Sequence, residues 1–312
     1  MLRGVWVPLV TPFKDGSVDL VSYRHLIRHY MDCGVAGLVP LGTTGEAPTL
    51  DEAEMDASVA ATVEIVAGRV PVFVGIGGNA TRKVIKTVER LSRFEFSGIV
   101  SVCPYYNRPT QDGMRQHFSA IADATERQIL IYNIPYRTSI NLANDTLLRL
   151  AERKNIVGVK DCSGSIAQSL ELLSIRPSSF SVLTGEDALY FAMLCNGADG
   201  GILAAAHLAT KQFVEIAGLI AANDLHAARA IWAPLQRVIP KLFQEANPIP
   251  IKYCLWRQGL IASPECRLPL SSISDVLAQG LDQWLDKEDQ HSRAQLPRAD
   301  QFGRTAKLSM AK

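Results

Sequence analysis

The chain of 312 residues has no excess of charge of either sign: 32 lysines and arginines stand against 31 aspartates and glutamates, for a formal net charge of +1. Without a basic stripe for a phosphate backbone, nucleic acid is set aside as a partner in favour of a small neutral or anionic substrate. Long apolar runs are also missing. The opening MLRGVWVPLVTPF carries one arginine and is broken by Pro8 and Pro12, too short and interrupted for a signal peptide or membrane span. No membrane partner is expected, and the cytoplasm is the expected location. The six cysteines (Cys33, Cys103, Cys162, Cys195, Cys254 and Cys266) form no CxxC pair, which fits reduced thiols better than a disulfide framework. GIGGNAT (75–81) departs from the GxGxxG dinucleotide fingerprint, and no GK[ST] phosphate loop or Ser-His-Asp grouping stands out. His25 and His29 have helical spacing but no HExxH context or third ligand, so no metal site is assigned.

What is present is a rhythm. Hydrophobic residues make up 47% of the chain, enough for a large core. Short apolar runs recur at residues 5–13, 37–42, 70–77, 98–104, 128–135, 155–161, 180–186 and 200–206, making eight. Continuous runs, in place of alternation, indicate parallel strands covered on both faces. Between them lie segments with helical spacing, such as Leu20 to Cys33 and Leu50 to Ala67, often entered from Ser, Thr, Asp or Asn. Eight βα units in about 220 residues match an α/β fold of the (β/α)8 TIM barrel type, with an open α/β sheet as the alternative. The expected organisation is a barrel over 1–222, a C-terminal helical region of about three helices over 223–286, and a polar, disordered tail over 287–312.

In such a barrel, function sits at the carboxyl ends of the strands. The sixth run, NIVGVKD, ends on Lys160. Partial desolvation there would lower its pKa and leave a neutral amine, a nucleophile toward carbonyls that can form a Schiff base with a keto acid. The alternatives are a lysine that snorkels to solvent or pairs with Asp161. Tyr132 closes the preceding strand, so its phenol should lie beside Lys160 and can move protons; core packing is the alternative. GTTGE (42–46) offers two hydroxyls and several backbone amides in a turn that can cradle a carboxylate or simply cap the next helix. Arg137, in a loop at the same face, presents a fork suited to a second carboxylate unless it is merely solvated. Cys162 has no evident histidine partner and reads as a small residue.

GTTGE, PYYNRPTQDG, YNIPYRT, GVKD.SG and NPIPIK, in that order between about Gly4 and Leu285, resemble the dihydrodipicolinate synthase/N-acetylneuraminate lyase family of class I, Schiff-base lyases. The resemblance implies that Lys160 forms a Schiff base with pyruvate, so no separate cofactor is needed, and that Tyr132, Thr43 and Tyr106 form a proton relay. It places Tyr106 in a neighbouring subunit's site, implying a homotetramer built as two dimers. Thr44 and its backbone would hold the pyruvate carboxylate, Arg137 the carboxylate of an aldehyde co-substrate, and Gly185 and Ile202 would be further substrate contacts. GTTGE and Arg137 favour the synthase branch, which condenses pyruvate with L-aspartate 4-semialdehyde in lysine and diaminopimelate biosynthesis. GGILAAAHLA (200–209) and the bulky Tyr136 depart from the usual pattern on the co-substrate side. The related chemistries are a 2-keto-3-deoxy sugar acid aldolase or dehydratase and a 1-pyrroline-4-hydroxy-2-carboxylate deaminase; a different class would be a non-catalytic keto-acid-binding homologue. At the site where some members bind inhibitory L-lysine, Tyr105 and Asn79 match, but Lys83 replaces an acidic residue and Glu52 and Met55 replace histidines. A like charge facing the inhibitor's ammonium should weaken feedback inhibition.

Overall fold

Each apolar run contributes one strand to a single parallel sheet, and the segments between them supply the helices that cover it. The structure, a computed structural model, describes residues 1–295, with side chains placed as far as residue 286. The strands are β1 (Gly4–Val7), β2 (Gly37–Leu38), β3 (Phe73–Gly75), β4 (Gly98–Val102), β5 (Gln128–Asn133), β6 (Ile156–Asp161), β7 (Ser181–Thr184) and β8 (Gly200–Ile202). They are hydrogen-bonded in the order β2-β1-β8-β7-β6-β5-β4-β3. A parallel bridge between Leu38 and Val72 joins the two ends, and Gly75 N–H donates to Pro40 O at 2.8 Å beside it. The sheet therefore closes as a (β/α)8 barrel, and the open-sheet alternative falls away.

Helices α1 (Leu20–Asp32), α2 (Glu52–Val66), α3 (Thr81–Leu91), α4 (Gln111–Asp123), α5 (Asn144–Ala151), α6 (Ile166–Ile175), α7 (Tyr190–Cys195) and α8 (Thr210–Ala221) follow the successive strands. Several start where a short polar side chain can satisfy the free N–H groups of the first turn. Asp19 caps α1, Thr110 caps α4 and Ser165 caps α6, while Asp51 and Glu54 form a reciprocal capping box on α2.

The first run is cut short at Val7, because Pro8 has no N–H to offer the ladder. Farther along, Phe13–Lys14 pairs with Ser17–Val18 in a small antiparallel ribbon. The last run stops at Ile202, and Ala205–His207 forms a 3-10 turn. His207 is buried there: its Nε2 accepts from Val10 N–H at 3.2 Å, and its Nδ1 lies 2.8 Å from Ala204 O. Burial lowers its pKa to about 4, which keeps it neutral and able to do both.

Two apolar clusters form the core. One fills the barrel and includes Trp6, Val39, Phe73, Val100, Leu130, Leu183 and Ile202. Trp6 meets Phe73 edge-on at 5.2 Å between ring centroids. The indole takes its space from Gly37, where a Cβ would come within 2.3 Å of the ring. The second cluster lies between sheet and helices and continues through Trp232, Leu235, Ile251 and Leu281 into the C-terminal region. That region contains α9 (Leu225–Val238), α10 (Ile249–Arg257) and α11 (Asp275–Gln295). Helix α11 runs past residue 287, where the expected tail begins; the lysine, glutamate, glutamine and arginine there are good helix formers. Residues 296–312 of the expected tail lie outside the described residues.

Candidate active site

Lys160 stands at the carboxyl end of β6, in register with Tyr132 of β5 and Leu183 of β7. Residues in register on neighbouring strands share a face, and both partners belong to the cluster inside the barrel. Lys160 therefore points inward. It is 8% exposed, and its Nζ lies 4.2 Å from the centre of the Tyr132 ring. Burial lowers the Lys160 pKa, an effect opposed by the negative charges of neighbouring groups, Asp187 and Glu186 among them. Asp161 faces the other way, where Ser169 Oγ donates to Oδ2 at 2.5 Å and Ser163 N–H donates to Oδ1 at 2.9 Å. Neither alternative left open for this lysine is realised among the described residues: it is not extended into solvent, and its carboxylate neighbour in sequence is engaged elsewhere.

The Tyr132 phenol is buried, which raises its pKa well above the ordinary value of 10.0, so it rests as a proton donor. Cys162 Sγ lies 4.0 Å from its hydroxyl. Gly185 packs behind the lysine. A Cβ on Gly185 would lie 2.4 Å from Cys162 Sγ and 2.5 Å from Lys160 Cε, so only glycine lets the lysine stem pass.

A cavity of about 490 Å³ opens above Lys160, and its wall includes Thr43, Tyr132, Arg137, Lys160 and Ile202. Five expected site residues, from the loop or strand ends after β2, β5, β6 and β8, thus meet in one space. Arg137 is carried there by a one-turn helix, Pro135–Thr138, and its guanidinium sits 5.7 Å from the Tyr136 ring centre. Thr44 is buried beside the wall and accepts a hydrogen bond from Asn247 Nδ2 at 2.9 Å; Asn247 itself lines the cavity. Gly185 acts from behind Lys160 rather than from the wall. Tyr106 is the expected residue that stands apart: it is 90% exposed, lies in the left-handed region at φ 72°, and lines no part of this cavity, although Tyr105 does.

The structure adds three groups that reasoning from sequence did not assign. Glu46, the last residue of GTTGE, and Lys252, the last of NPIPIK, form an ion pair in which both side chains are buried. Lys252 Nζ also donates to Glu265 O at 2.8 Å, and Arg267 N–H donates to the second Glu46 oxygen at 3.0 Å. Asp187, after β7, is buried near Lys160 and accepts from Ala205 N–H at 2.6 Å; burial raises its pKa to about 7. Opposite charges in two distant motifs were a signal for the first pair, but spacing alone could not match them. Asn247 carried no signal beyond membership of a motif.

The model for the dihydrodipicolinate synthetase family matches residues 1–288. The chain belongs to this family. Among its relatives, 4-hydroxy-tetrahydrodipicolinate synthase 2 of Clostridium acetobutylicum is 51% identical over 284 residues, covering 91% of this chain and 99% of that protein. The dihydrodipicolinate synthase structure from Thermotoga maritima superposes with a TM-score of 0.90 at 40% identity, over 93% of this chain and 99% of that one. A chloride-inhibited dihydrodipicolinate synthase from Acinetobacter baumannii, solved with pyruvate, gives 0.89 at 35% identity, over 93% and 99% of the two chains. The family's barrel and C-terminal helices are thus reproduced along nearly the whole length of these relatives.

Proposed function

We propose that this protein condenses pyruvate with L-aspartate 4-semialdehyde to 4-hydroxy-tetrahydrodipicolinate, a Schiff-base lyase reaction of lysine and diaminopimelate biosynthesis. The observation that carries the reading is a buried amine, Lys160 Nζ, held 4.2 Å from the Tyr132 ring at the floor of a cavity that Thr43 and Arg137 also line. The names of the relatives support the choice of substrates.

Neutral Lys160 attacks the keto carbon of pyruvate, and loss of water from the carbinolamine leaves a protonated imine, which acts as an electron sink. Loss of a methyl proton gives the enamine, whose terminal carbon attacks the aldehyde carbon of the co-substrate; the new alkoxide takes a proton, and the co-substrate's own amine then adds to the regenerated imine carbon, closing the ring and releasing Lys160 as the free amine. Protons move on and off through Tyr132 and Thr43, with Tyr106 as the third member of the relay. Tyr106 is exposed and lines no part of its own cavity, which supports the reading taken from the family resemblance, in which the Tyr106 of a second copy completes the relay in a dimer that pairs again into a tetramer. Thr44 binds the pyruvate carboxylate and Arg137 that of the semialdehyde, with Ile202 in the cavity wall and Gly185 leaving room for the Lys160 stem. No dissociable cofactor takes part. Among the described residues no helix is long and apolar enough to cross a membrane, and the cytoplasm is the proposed location.

Borohydride reduction in the presence of pyruvate tests the chemistry: inactivation with the label on the Lys160 peptide is expected, and a label absent or elsewhere overturns it. Turnover of aspartate semialdehyde far above that of sugar acids supports the choice of co-substrate. Ammonia release from a hydroxypyrroline carboxylate would transfer the protein to the deaminase branch.

A further inference from the structure

Glu46 is held by Lys252 and by Arg267 N–H, and Gly45 O accepts from Thr11 Oγ1 at 2.7 Å, so the backbone of GTTGE is anchored on both sides without help from Asn247. Asn247, 203 residues along the chain from Thr44, makes one hydrogen bond to this loop, and it goes to the Thr44 hydroxyl. A hydroxyl has one proton and two lone pairs. Asn247 Nδ2, at 2.9 Å, occupies a lone pair of Thr44 Oγ1 and presents a donor to it, so the Thr44 proton must point elsewhere. Among the described residues no acceptor takes that proton. The other end of the amide, Asn247 Oδ1, is buried without a partner, so no second hydrogen bond of that oxygen competes with the contact to the hydroxyl.

We propose that Asn247 is a positioning residue that aims the Thr44 hydroxyl proton at the pyruvate carboxylate, making the C-terminal helical region part of the substrate site. The proposal rests on Thr44 being the carboxylate ligand of the reaction given above. It explains why the segment that begins α10 must reach the barrel mouth: a donor amide on Thr44 leaves that hydroxyl a donor toward an anion. An acceptor in the same place would capture the proton and turn a lone pair toward the substrate.

The test is a set of variants assayed for the KM of both substrates. Asn247→Ala is expected to raise the KM for pyruvate about tenfold, the size of one hydrogen bond to a charged group, while the KM for the semialdehyde stays within about twofold. Thr44→Val is expected to raise the pyruvate KM at least as much, and the double variant to be no worse than Thr44→Val alone, since Asn247 acts through that hydroxyl. Asn247→Asp keeps the volume but offers an acceptor, and is expected to be worse than Asn247→Ala. A pyruvate KM unchanged in Asn247→Ala, multiplicative effects in the double variant, or Asn247→Asp outperforming Asn247→Ala would each overturn the proposal. Wild-type protein that fails to trap pyruvate on Lys160 overturns the underlying reaction instead.

Discussion

Replacing Gly185 with alanine adds one methyl group at the point where the lysine stem passes β7. The new Cβ would stand 2.4 Å from Cys162 Sγ, 2.5 Å from Lys160 Cε and 3.1 Å from Lys160 Cγ. Carbon atoms settle at about 3.5–4.0 Å, so the end of the Lys160 chain must move by about 1 Å or more. Gly185 is not among the residues with positive φ, so its backbone accommodates alanine and the clash falls on the side chains. Overpacking of this kind costs about 1–3 kcal/mol of stability, a fall of only several degrees in melting temperature for a chain of this size. The effect on chemistry is larger. Displacing a reacting atom by about 1 Å costs on the order of a hundredfold in rate. The assay is the initial rate of borohydride trapping with pyruvate, read by mass spectrometry on the Lys160 peptide, with circular dichroism reporting the fold. Gly185→Ala combined with Cys162→Ala gives the methyl the space of the sulfur and is expected to recover part of the rate. Trapping by Gly185→Ala within threefold of wild type would refute the placement of Lys160.

Lys252→Met leaves the Glu46 carboxylate buried and unpaired, an expected loss of about 3–5 kcal/mol in urea unfolding, whereas pairing it with Glu46→Gln should recover most of the stability; equal losses in both variants would show that the pair is not coupled. Asp187 gives a pH-dependent test. Its carboxyl pKa is raised by burial from 3.8 to about 7 in the folded chain, so the fold favours the protonated form, and the stability this group contributes below about pH 4 is lost as pH rises toward 7. Asp187→Asn should therefore melt higher than wild type at pH 8 and lose that advantage at pH 4; the opposite order would contradict the assigned burial. L-Lysine at millimolar concentration is expected to leave turnover within about twofold, because Lys83 carries the ligand's own charge, and half-inhibition at micromolar concentration would refute that.

The apolar runs could be read as strands because a parallel sheet covered on both faces leaves a continuous hydrophobic signature. The cap at Asp19 was legible because capping is settled within a few residues, whereas the second helix, expected from Leu50, starts at Glu52 with Asp51 as its cap. The pairing of Lys160 with Tyr132 was within reach too, since both close consecutive runs and neighbouring parallel strands end at the same rim. Other features depended on the closed barrel. Pro8 ended the first strand early, and α11 continued past residue 287, because ladder and helix bonds and not apolar content set those limits. Glu46 and Lys252 are 206 positions apart, and no local pattern matches one to the other; only the docking of the C-terminal helices on the barrel removes both from water and makes each the other's partner. The same docking brings Asn247 to Thr44, and the packing of β7 against β6 leaves no room for a side chain at Gly185. Periodicity and local hydrogen bonding are written along the chain, so the sequence by itself determined the strands, the helices and the amine at the end of the sixth run. Desolvation and pairing across the barrel mouth exist only once distant segments close around the same few cubic ångströms, and those the tertiary structure decided.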